Sequence, residues 1–70
     1  MKLSNVKVGM EVLVKDKVGS RFFSYNRGKI GFVTDLTPDD DDLNVRVKFE
    51  DGRYNWGHYK DLKRVKEQSQ

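Results

Sequence analysis

The stretch NVRVKFEDGRYNW, residues 44–56, decides the fold. Val45, Val47 and Phe49 alternate with Arg46, Lys48 and Glu50, the period of two that sends successive side chains to opposite faces of a β-strand, so a strand is expected over residues 44–50. Asp51 and Gly52 follow, the pair favoured in a two-residue type I′ hairpin because both central positions need positive φ. Counting outward from that turn, Glu50 faces Arg53, Phe49 faces Tyr54, Lys48 faces Asn55 and Val47 faces Trp56. This register places Tyr54 and Trp56 with Phe49 and Val47 in the core and leaves an ion pair on the other face.

Upstream, Met10, Val12 and Val14 alternate with Glu11 and Lys15, and Gly9 marks the entry, so a first strand is expected over residues 10–15. Periodicity vanishes over residues 16–27, where Gly19, Ser20, Ser24 and Asn26 collect in a long loop that also carries aromatic rings. A second strand is expected over residues 29–36, with a bulge near Gly31, because Ile30, Val33 and Leu36 are spaced by three. Pro38 and the aspartates Asp39, Asp40, Asp41 and Asp42 end it in a solvated loop tip. Downstream, residues 58–62 suit a single 3₁₀ turn and residues 63–66 a short fifth strand, with a frayed polar tail over 67–70.

Five short strands, a long first loop, a tight third hairpin and a 3₁₀ turn before the last strand give an all-β domain over residues 1–66, in the order of a five-stranded SH3-like barrel. The stretches GMEVLVKD (9–16), RGKIGFVTDL (27–36) and NVRVKFEDG (44–52) resemble the KOW pattern of ribosomal and transcription-elongation proteins, with Arg27, Gly28, Lys29 and Gly31 at its Arg-Gly-Lys step. The long first loop departs from that pattern. The tail DGRYNWGHYKDLKRV (51–65) is more similar to mind-bomb-type SH3-like domains, a resemblance that implies peptide binding. The two resemblances agree on the fold and imply different partners.

Seventy residues without cysteine and with one histidine, His58, leave neither a disulfide nor a zinc staple to support a thin core. Absence of cysteine fits a reducing compartment, and the cytoplasm is the expected location. Lys2 and Lys7 interrupt Leu3, Val6 and Val8 where a secretory signal needs an unbroken apolar run, and no apolar run is long enough to cross a bilayer. A monomer without membrane, metal or cofactor is expected. Charge is unevenly spread: residues 1–34 carry +5, residues 35–51 carry −5 and residues 52–70 carry +3. A fold that keeps these segments apart is an electrostatic dipole with one face suited to polyanions.

The first loop interleaves Lys15, Lys17, Arg21, Arg27 and Lys29 with Phe22, Phe23 and Tyr25. Cations neutralise phosphates and rings stack on unpaired bases, so these eight residues are the expected nucleic-acid contacts, for RNA or DNA with little sequence preference. The plain structural reading has Phe22 or Phe23 completing the core. An alternative site for a protein partner is a groove lined by Tyr25, Trp56, His58 and Tyr59, where the plain reading of the last two is a 3₁₀ turn. The aspartate run fails the EF-hand pattern, because Leu43 and Asn44 fall where a ligand and the glycine belong. Ser20 or Ser24 with His58 and Asp61 makes a triad only on paper, and no enzyme activity is expected.

Overall fold

The computed structural model describes residues 2–65. A 3₁₀ turn, Leu3–Asn5, precedes β1 (Glu11–Val14); a second, Ser24–Asn26, lies in the first loop before β2 (Ile30–Leu36). Then come β3 (Val45–Phe49), β4 (Tyr54–Gly57), a third 3₁₀ turn, Tyr59–Asp61, and β5 (Leu62–Arg64). All five strands pair antiparallel in one sheet of order β4-β3-β2-β1-β5. The strand expected over 63–66 is thus Leu62–Arg64; position 66 and the tail expected over 67–70 lie outside the described residues. Among the described residues no helix is long and apolar enough to cross a membrane.

Period-two alternation builds the core. Val12 and Val14 of β1, Val33 of β2, Val45, Val47 and Phe49 of β3 and Leu62 of β5 all point to one side, and Val6 and Phe22 close over them. Each such side chain contributes about 1.5 to 3 kcal/mol of burial, which is what a chain without staples has to rely on.

The β3–β4 hairpin differs from the expected one by a single residue. Arg46 pairs with Trp56, Val47 with Asn55 and Lys48 with Tyr54, while the Phe49 N–H donates to the Arg53 carbonyl at 2.9 Å. The loop is therefore three residues, Glu50, Asp51 and Gly52. A type I′ turn needs positive φ at both Asp51 and Gly52, and only Gly52 has it, at 86°; Gly52 N–H instead closes a turn onto the Phe49 carbonyl at 2.9 Å, the geometry of a turn followed by one left-handed residue. A slip of one residue reverses every side chain. Tyr54 and Trp56, expected in the core, lie on the outer face beside Lys48 and Arg46, and Asn55 and Gly57 take the buried positions. The expected Glu50–Arg53 pair is replaced by Arg53 with Asp51.

The bulge also lies elsewhere than expected. The β2–β3 register shifts between Val33 and Asp35, at Thr34, and Gly31 sits in regular pairing opposite Phe49. Gly31 is required for closeness: a Cβ there would come within 2.6 Å of the Lys48 carbonyl oxygen and of Val47 Cγ1. The threefold spacing of Ile30, Val33 and Leu36 is explained by the Thr34 bulge, with Ile30 facing out and Leu36 packing on the core.

Candidate functional site

The first loop leaves the sheet through a narrow neck. Val14 N–H donates to the Lys29 carbonyl at 2.9 Å and Gly28 N–H to the Val14 carbonyl at 2.7 Å, extending the β1–β2 pairing past the strand ends. The loop then folds back over the inner side of β4. Phe22 is 2 % exposed, its ring filling the space above Gly57, where any Cβ would penetrate it. Phe22 thus takes the core position and offers no ring face to a ligand.

Buried polar side chains fasten the backbone around it. Asn55 Oδ1 accepts from the Phe23 N–H at 3.0 Å and from Asn26 Nδ2 at 2.8 Å, and Asn55 Nδ2 donates to the Trp56 carbonyl at 2.9 Å. Asp61, at the third 3₁₀ turn, accepts from the Arg21 N–H at 2.9 Å and pairs with Lys17 Nζ at 2.9 Å. Burial pushes the Asp61 carboxyl up, but the Arg21 N–H, the hydrogen bond and charge of Lys17 and the charge of His58 outweigh it and hold the group below the usual carboxylate value. Buried polar groups are tolerated when they are satisfied in this way; of these side chains Asn26 leaves its Oδ1 buried without a partner.

With residues on both sides tied down, the Ser24–Asn26 turn presents Phe23 and Tyr25 to solvent at 54 % and 53 % exposure. Their rings stack on each other, centroids 5.4 Å apart and planes at 21°. The cations around them are unequally occupied. Lys17 pairs with Asp61, Arg21 Nε lies 2.7 Å from Asp42, and Lys15 Nζ donates to the Lys60 carbonyl at 3.3 Å. Arg27 and Lys29 are in no ion pair among the described residues. The Arg21–Asp42 contact also ties the acidic loop to the basic one, so the two charge blocks meet at this point. Asp40 caps that acidic loop, accepting from the Leu43 and Asp42 N–H groups, which hold its carboxyl below the usual value.

The alternative groove is less assembled. Tyr25 stacks on Phe23, His58 stacks on Tyr59 at 4.8 Å, and Trp56 lies under Arg46, whose guanidinium is 5.9 Å from its ring. No ring pair among the described residues joins Tyr25 to Trp56 or Tyr59. Tyr59 packs partly on the core, and its N–H donates to Asn44 Oδ1 at 2.9 Å. His58 Nδ1 accepts from the Lys60 N–H, which is the local bonding of a 3₁₀ turn.

Comparison with protein-family models, with curated proteins and with solved structures returned no match, so the functional reading rests on the chemistry of the chain itself. Sequence reasoning missed Asn26, Asn55 and Asp61 as the loop's fasteners. The signal for Asn55 lay in the hairpin: once three residues form the turn, an amide falls on a core-facing strand position and requires partners there.

Proposed function

We propose that the chain is a small non-enzymatic nucleic-acid-binding module on an SH3-like barrel scaffold, working in the cytoplasm. The strand order β4-β3-β2-β1-β5, the long loop between β1 and β2, the tight β3–β4 turn and the 3₁₀ turn before β5 support the scaffold. Arg27, Gly28, Lys29 and Gly31 open β2 as in the KOW pattern and support the ligand class.

The observation that carries the reading is the stacked, solvent-facing pair Phe23 and Tyr25, held by the buried Asn55 and Asn26 amides, with Arg27 and Lys29 next along the chain. Two rings left in water forgo the burial that core rings gain, and their faces stay open to a ligand. Unpaired bases stack on such rings at about 1 to 3 kcal/mol each, and neighbouring cations neutralise the phosphates. Fluorescence anisotropy with labelled single strands and duplexes of RNA and DNA at low salt tests this. Phe23→Ala and Tyr25→Ala should each weaken single-strand binding about tenfold; wild-type affinity in both variants would exclude the loop as the contact surface.

One observation favours a protein partner instead: Lys17 and Arg21 are already paired with Asp61 and Asp42, which lowers the charge available to phosphates. Capture from lysate with and without nuclease separates the readings. A partner that survives nuclease belongs to the protein reading, and one released by it to the nucleic-acid reading.

A further inference from the structure

The one-residue difference in the hairpin turns a second set of rings outward. On the outer face of the sheet, Glu11, Phe32, Lys48 and Tyr54 stand in one cross-strand row from β1 to β4. Phe32 is 52 % and Tyr54 50 % exposed, on a central and an edge strand, and Ile30 joins Phe32 along β2 at 47 %. Lys48 stands between Phe32 and Tyr54 in the row and holds its ammonium over the Tyr54 ring, Nζ 5.6 Å from the centroid. One pair further along, Arg46 lies 4.5 Å over the Tyr54 ring and 5.9 Å from the Trp56 ring. Its guanidinium is fixed there by Asp35 and by Thr34 Oγ1, which accepts from Arg46 Nε at 3.0 Å.

We infer that this outer face is a stacking platform for single-stranded nucleic acid, separate from the first loop. The inference rests on the nucleic-acid reading above and extends it to a second surface and to unpaired strands. Phe32 and Tyr54 lie on alternate strands, about 10 Å apart at the usual interstrand spacing, with Lys48 between them in the register to reach the phosphate joining two stacked bases. Rings standing on a sheet reach a base only by its π-face, and a duplex keeps those faces covered by its own stack. Arg46 covers one side of Tyr54 with its charge offset by Asp35, so Lys48 is the cation left to meet a phosphate. Glu11 on β1 and Glu50 in the β3–β4 turn border the platform and repel phosphates, which keeps a strand off β1 and off that turn.

The full chain, titrated with short oligothymidylate and with a duplex of mixed sequence, tests the platform. Phe32→Ala and Tyr54→Ala remove exposed side chains, and retention of the wild-type amide dispersion checks their folding. Each should lower affinity for the single strand about tenfold and leave duplex affinity unchanged, and the wild-type amides of residues 30–34 and 54–56 should shift on binding the single strand. Wild-type affinity in both variants together with unshifted β2–β4 amides would overturn the platform while leaving the loop as the binding site. Absence of any nucleic-acid binding by the wild-type chain would overturn both readings, as would a nuclease-resistant protein that alone shifts these amides.

Discussion

Asp61 shows how a single buried carboxylate organises the candidate site. It holds the Arg21 N–H and the Lys17 ammonium of the first loop from a position just before β5, so the loop is fixed to the opposite end of the chain. Asp61→Asn keeps the shape and removes the charge, and should cost about 1 to 3 kcal/mol in urea unfolding at neutral pH. Because the folded-state pKa of Asp61 is lowered, its stabilising contribution is complete above the unfolded value and fades as pH falls through the folded one. The gap between wild type and Asp61→Asn should therefore close below about pH 4; an undiminished gap in acid would remove the charge from the account. The sequence offered Asp61 only as the acid of a triad on paper, not as a fastener of the first loop. Its partners are separated from it by some forty positions, a distance that no local pattern carries.

At the scale of the element, the strands were legible because their alternation is strong: Val45, Val47 and Phe49 face inward as their spacing requires. The turn joining β3 to β4 was not, since Asp51-Gly52 serves both a two-residue loop and the longer loop that exists, and only the φ of Asp51 separates them. That ambiguity is why Tyr54 and Trp56, expected in the core, lie instead on the outer face of the sheet. Packing resolves it, because the inward position at Gly57 has to admit the Phe22 ring and any side chain would block it. Gly57→Ala should accordingly expel Phe22 and destabilise the fold by about 1 to 3 kcal/mol. Phe22 exposure, followed by the thermal melt and by its aromatic NMR contacts, checks this; a melt unchanged from wild type would contradict the packing described.

Across the whole molecule, composition pointed to a dipole of basic and acidic segments, but the folded chain brings the two together where Arg21 meets Asp42. The pair is exposed and of little consequence for stability, as surface ion pairs usually are. Its weight falls on binding: the bond to Asp42 engages Arg21 and places a carboxylate near any approaching phosphate. Asp42→Asn should raise affinity for single strands at low salt, and the gain should shrink as salt screens the surface; an equal or lower affinity at low salt would show that Arg21 takes no part. On the proposed reading, the exposed rings of the first loop, with Arg27 and Lys29, meet a nucleic acid. An NMR titration of the chain with single- and double-stranded RNA and DNA at low salt tests it most directly. The account predicts shifts in the amides of residues 15–29 with the single strands, and no shift there with any of the four ligands would contradict it.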